Sequence, residues 1–91
     1  MSELESLDAR GLLCPLPVIR TQDRVRNLPV GTTLDVVATD AGTMHDIPAW
    51  CRVHGHELVS AEALPPTAAG KNDSGGGPVY HFRIQVCGDQ P

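Results

Sequence analysis

Two prolines in alternate positions, Pro15 and Pro17, fix where this chain can begin a helix. Inside a helix a proline removes a hydrogen bond and clashes with the preceding turn. The first turn tolerates it, because the N–H groups there have no intrahelical partner. Pro15 therefore reads as the first helical residue and Cys14 as the residue that caps it. Gly11 supplies the turn from a short strand that ends near Asp8 and Ala9. This places the Cys14 thiol at the positive end of a helix dipole, where a thiolate is favoured. The dipole contributes about 0.3–1 kcal/mol, and up to about 2 in good geometry. One pKa unit corresponds to about 1.4 kcal/mol, and both prolines withhold an amide. A mildly depressed Cys14 pKa is expected, with Arg10 as a further source of positive charge.

The remaining elements follow from periodicity. Leu7 and Ala9 share one face of a first strand over Leu4–Ala9. A helix runs from Cys14 to Asn27 or Leu28, with Val18, Gln22, Val25 and Leu28 on one stripe and Ile19 beside it. Pro29-Val30-Gly31 ends it. Thr32–Thr39 alternates as a strand, with Leu34, Val36 and Ala38 on one face. Asp40-Ala41-Gly42 turns the chain. In the second helix Ile47, Trp50, Cys51 and His54 recur at helical spacing, and Gly55 is the stop. Thr43 with Asp46 has the form of a capping box, but a start at Asp46 suits Pro48 better. His56–Leu64 reads as a third strand and Val79–Cys87 as a fourth, with Tyr80, Phe82, Ile84 and Val86 inward. The Pro- and Gly-rich stretch Pro65–Pro78 reads as a long mobile connection. The order βαβαββ predicts an α/β (α+β) two-layer sandwich: a four-stranded mixed sheet covered on one face by two helices. The first two strands run parallel, because a helix crosses between them, and the last two antiparallel.

Ninety-one residues, 41% hydrophobic and 20% charged, fit one small globular domain spanning 1–91. A net charge of −4 argues against nucleic-acid binding. No apolar run reaches the ~20 residues needed to span a bilayer, and the acidic start Met1–Glu5 does not read as a secretory signal. Three cysteines without paired spacing fit reduced thiols in the cytoplasm.

Cys14 is the candidate reactive thiol. Cys51 lies on an apolar helix stripe and reads as core. Cys87 faces outward near the C-terminus as a second, weaker candidate. His45, His54 and His56 lack metal-ligand spacing, so no metal is expected. No glycine-rich loop opens a helix after a strand, so no nucleotide phosphate site or cofactor is expected. Asp46 reads first as a helix cap. Arg20 and Arg24 lie on the wet face of the helix that follows Cys14, where a docking patch for an acidic partner is as plausible as a solvated face.

The pattern Asp8-x-x-Gly11-x-x-Cys14-Pro15-x-Pro17, with Asp46-Ile47-Pro48 and Cys51 further on, resembles the TusA/SirA-like sulfur-carrier family over nearly the whole chain. The resemblance implies a small cytoplasmic two-layer sandwich, taken here as a monomer. It would carry sulfane sulfur as a persulfide on Cys14, with Asp8, Gly11, Pro15, Pro17 and Asp46 as supporting motif positions. It implies a sulfur donor protein, a cysteine desulfurase or rhodanese, and a sulfur acceptor protein. Known destinations in the family are tRNA thiolation, molybdenum-cofactor synthesis and sulfur oxidation. The best-known members have Arg before the cysteine and Glu between the prolines. Here those positions are Leu13 and Leu16, so the docking surface is more apolar. The alternatives are a regulatory or interaction module of the same fold, and a soluble partner of a sulfur-compound transporter.

Overall fold

The computed structural model describes residues 4–64 and 78–87. The elements are β1 (Leu4–Ala9), α1 (Leu16–Val25), β2 (Thr33–Ala38), α2 (Thr43–His54), β3 (Glu57–Leu64) and β4 (Val79–Gln85). The expected connection over 65–78 lies, apart from Pro78, outside the described residues. The sheet order is β1-β2-β4-β3. β1 pairs parallel with β2, Leu7 opposite Val36 and Ala9 opposite Ala38. β4 lies antiparallel to both β2 and β3. The expected βαβαββ architecture with its mixed sheet is the one observed.

Alternation does the work in β2 and β4. Leu34, Val36 and Ala38 from β2 meet Phe82 and Ile84 from β4 and Val86 just beyond it, all fully buried. Ala9, Val25, Ile47, Trp50 and Cys51 complete the core from β1 and the two helices. Tyr80 is only partly buried, while Val79 at the start of the strand is buried instead. β3 is an edge strand with a register shift between Leu58 and Ser60. Such an irregularity blunts an edge against pairing with other chains.

Both helices depart from their expected starts. α1 opens at Leu16, not Pro15, because residues 13–16 first form a turn in which Leu16 N–H donates to Leu13 O (2.8 Å). Its buried stripe is Pro17, Thr21 and Val25. Thr21 fits there because its hydroxyl donates to Pro17 O (2.8 Å), and Ile19 is left 47% exposed. α2 opens at Thr43 and runs through Pro48, so Asp46 does not cap it. The first turn is already closed: Thr43 N–H and Oγ1 both donate to Asp40 O (3.0 and 2.7 Å), and Asp46 N–H donates to Gly42 O (2.9 Å). Trp50 Nε1 donates to Gln22 Oε1 (3.2 Å) and links the helices.

The other sheet face carries charge. Arg83 holds Asp35 through two bonds (2.8 and 2.9 Å), and His81 Nε2 lies 3.6 Å from the same carboxylate. The Arg83 guanidinium keeps the Asp35 carboxyl below its ordinary value. Under the core, His56 is buried, stacks on Trp50 (5.1 Å) and accepts the Cys87 N–H on Nδ1 (3.0 Å). Its Nε2 finds no partner among the described residues. Burial, helped by His54, pushes the His56 pKa below its ordinary 6.5.

These shifts give stability a sign against pH. The folded state binds fewer protons than the unfolded chain below the ordinary pKa of each depressed group. Stability is therefore present above pH 6.5 for His56 and is lost as pH falls through its folded value. Asp35, Asp8 and Asp40 add the same loss below 3.8. Tm should fall steadily between pH 7 and 4, and His56→Gln should flatten the upper part of that fall. A Tm constant from pH 7 to 5 would refute the His56 assignment.

Candidate functional site

Because β1 and β2 are parallel, the loops leaving their C-terminal ends emerge at one edge and meet there. The first loop carries residues 10–15 and the second residues 39–42. Thr39 Oγ1 accepts the Gly11 N–H (2.9 Å), and Asp40 Oδ2 accepts the Cys14 N–H (2.6 Å). Gly11 has φ +82°, a left-handed conformation that favours glycine. Asp40 Oδ1 accepts the Gly42 N–H (3.0 Å), so one carboxylate clamps both loops.

Gly42 precedes α2 with φ −60° and ψ −22°, an ordinary conformation for any residue. Its missing side chain matters for another reason. A β-carbon there would lie 3.3 Å from Cys14 Sγ, 3.7 Å from Cys14 Cβ and 3.6 Å from Asp40 Oδ1. The thiol rests against the bare Gly42 backbone, at the first turn of the helix that carries Asp46.

The electrostatics of Cys14 reverse the expectation. Its pKa is pushed up from the ordinary 9.0 to about 12, first by burial, then by the Asp46 and Asp40 carboxylates. At pH 7 the thiolate is on the order of one part in 10⁵. The mildly depressed value expected from a helix dipole does not hold, for a structural reason. Pro15, not Cys14, occupies the cap position of α1, and no side chain caps that end. The thiol lies outside the first turn, where two carboxylates outweigh a screened dipole.

The other sequence candidates divide by location. Leu13 and Leu16 flank Cys14 and are 72% and 42% exposed. Met44, in the first turn of α2, is also exposed. Pro17 is buried in the core. Arg10 is engaged by Asp8. It holds Asp8 through Nε and Nη2 (both 2.9 Å), and the pair lines a concavity of about 300 Å³ on the charged sheet face with Ser6, Asp35 and His81. Arg20 is exposed on α1. Arg24 lies in the last turn, about 15 Å along the helix, and reaches Glu5 (3.3 Å). The structure thus brings together Gly11, Cys14, Pro15, Leu13, Leu16 and Asp46, and leaves Asp8, Arg10 and Arg24 apart.

The two remaining thiols lie at the far end of α2. Cys51 is buried, which pushes its pKa up to about 11. Cys87 Sγ lies 3.3 Å from Gly55 O, at the C-terminal cap of the helix whose N-terminal side touches Cys14. A 12-residue helix is about 18 Å long, too far for direct exchange between Cys87 and Cys14. Among the described residues no group of His, Cys, Asp and Glu is placed to hold a metal ion, and no helix is long and apolar enough to cross a membrane. Asp40 and Gly42 were missed as site residues. Their signal was the parallel pairing itself, which brings the loop after β2 beside the loop after β1.

A family model described as sulfurtransferase TusA matches residues 5–68. The chain belongs to the TusA sulfurtransferase family. Sulfur carrier protein TusA of Pseudomonas syringae pv. syringae is 53% identical over 57 residues, which are 63% of this chain and 68% of the relative. TusA of Pseudomonas syringae pv. tomato is 51% identical over 61 residues, 67% of this chain and 73% of the relative. A longer family relative, YrkF of Bacillus subtilis, is 44% identical over 57 residues, so this chain spans only 31% of its length. The crystal structure of a SirA-like protein from Desulfitobacterium hafniense superposes with a TM-score of 0.64 over 93% of this chain and 99% of that one. At 23% identity that likeness speaks for the fold alone. The TusA family match stops before β4, although β4 supplies Phe82 and Ile84 to the core.

Proposed function

We propose that this protein is a cytoplasmic, monomeric sulfur carrier. Cys14 takes one sulfane sulfur from a donor protein, a cysteine desulfurase or a rhodanese, and yields it to an acceptor protein. In the loading step Cys14 sulfur attacks the terminal sulfur of the donor persulfide. The donor S–S bond breaks, and the donor sulfur leaves with the electron pair. The proton given up by Cys14 balances the one the donor thiol regains, so the net change is Cys14–SH plus R–S–SH giving Cys14–S–SH plus R–SH. Unloading is the same exchange with Cys14 as the leaving sulfur.

The observation that carries this reading is the isolation of the thiol. Cys14 is a partly exposed cysteine between two clamped loops. Neither of the other two cysteines is within reach, and among the described residues the charges that bear most on it are the Asp46 and Asp40 carboxylates. Such a site holds a sulfur but does not complete a reaction unaided; the missing parts belong to the proteins it meets. Exposed Leu13 and Leu16 beside it suit an apolar docking rim. Family membership supports the same conclusion.

The test is intact mass after incubation with a desulfurase and cysteine, or a rhodanese and thiosulfate. The expected result is a gain of one sulfur atom that a reductant removes, lost completely in Cys14→Ser and kept in Cys87→Ser. No gain from either donor would overturn the carrier reading in favour of a regulatory module.

A further inference from the structure

We propose that Asp46 is a positioning residue that restrains Cys14, holding it as an unreactive neutral thiol in the free protein. This rests on the carrier reading and assigns a control element to the same cysteine.

Asp46 lies one helical turn after Gly42, so its side chain shares the helix face against which the sulfur rests. Asp40 ties the Cys14 backbone to the loop after β2, and the thiol then lies against Gly42. The Gly42 carbonyl accepts the Asp46 N–H (2.9 Å), so Asp46 rises from the residue that the sulfur touches. The two carboxylates differ in how they are occupied. Asp40 already accepts two backbone donors, the N–H groups of Cys14 and Gly42. No ion pair among the described residues forms on Asp46, and the paired guanidinium groups lie elsewhere: Arg10 on Asp8, Arg24 on Glu5, Arg26 on Asp23 and Arg83 on Asp35. A carboxylate beside a thiol favours the protonated form, since the thiolate would meet a like charge. The raised pKa of Cys14, with Asp46 the leading cause after burial, agrees with this placement.

Asp46 does not act as a base in this arrangement. Burial and the neighbouring carboxylates both hold the proton on the sulfur. Its effect is restraint. An exposed thiolate is open to oxidation and to alkylation by any electrophile. A carrier that waits between partners gains by keeping its thiol neutral in the free state.

The test is the alkylation rate of Cys14 in the full chain, read by peptide-resolved mass spectrometry with iodoacetamide at pH 7.5 and across a pH series. In Asp46→Asn the rate should rise about tenfold, with the midpoint of the pH profile about one unit lower. Asp23→Asn, the same charge change on exposed α1 surface, should stay within twofold. A rate in Asp46→Asn under threefold above wild type would overturn the proposal. A purely structural role for Asp46 would lower Tm without moving the pH midpoint. If Asp46→Asn fails to fold, the wild-type midpoint is compared with that of the urea-unfolded chain; a folded value at or below the unfolded one would overturn the restraint. Alkylation needs no sulfur donor. Failure of sulfur loading would strike the carrier reading alone, and an unchanged alkylation rate would strike this inference alone.

Discussion

Phe82→Ala should destabilise the fold by about 3–5 kcal/mol. Phe82 is fully buried on β4, opposite Val36 on one side and Ala61 on the other, so the ring packs between strands and beneath the helices. The chain has few large side chains with which to refill the space: Trp50, Tyr80 and Phe82 are its only aromatics, and the residues paired with Phe82, Val36 and Ala61, are short. Collapse around the missing ring would be incomplete, which favours the upper part of the range. Small domains hold about 5–15 kcal/mol in total, so the variant should keep only a fraction of its stability. With a urea slope of about 1–3 kcal/mol/M, the midpoint should move down by roughly 2 M. Ile19→Ala, on a half-exposed side chain, is the control and should stay within about 0.5 kcal/mol. A Phe82→Ala midpoint within 0.5 M of wild type, as an order-of-magnitude bound, would mean that the core is not centred on β4.

Gly42→Val should disable Cys14 while leaving the fold in place. The backbone at Gly42 is right-handed, so no left-handed strain opposes a side chain. The obstacle is the sulfur, 3.3 Å from the first added carbon. Alanine demands a shift of only a few tenths of an ångström, and Gly42→Ala should load sulfur within about threefold of wild type, with Tm equal or slightly higher. Valine adds two methyls on a stiff β-branched frame that has Cys14 and Asp40 on its near side. Sulfur loading and Cys14 alkylation should both fall by at least about tenfold, because an incoming sulfur must reach one already pressed by those methyls. Equal loading in the glycine and valine proteins would show that the thiol moves freely away from Gly42.

The fold was legible because its signals are local. Leu34, Val36 and Ala38 alternate, and so do Phe82, Ile84 and Val86; in each case period two translates directly into a buried face. α2 was legible from Ile47, Trp50 and Cys51, though not its start, because Asp40 rather than Thr43 or Asp46 organises the first turn. The Cys14 loop was legible as a motif but not as chemistry. Reading the thiol as a helix cap used only residues adjacent to it. Its environment is set by Asp40 and Asp46, which lie on the far side of β2 in the chain and arrive through parallel strand pairing. The pairing of Arg10 was hidden for a similar reason: proximity in sequence suggests Cys14, while a two-point bond joins it to Asp8.

The strand order also bears on how the protein is made. Of the four strands β4 is synthesised last, yet it lies inside the sheet between β2 and β3. Until residues 79–86 leave the ribosome, β2 lacks one neighbour and β3 has none. The apolar sides of Leu34, Val36 and Ile47 then have no Phe82 or Ile84 to cover them. The nascent βαβαβ segment should therefore stay open and sticky until β4 is made, and close when that strand slots into the gap. A ribosome-bound chain ending before Val79 should be protease-sensitive, and one that exposes the full β4 should not be.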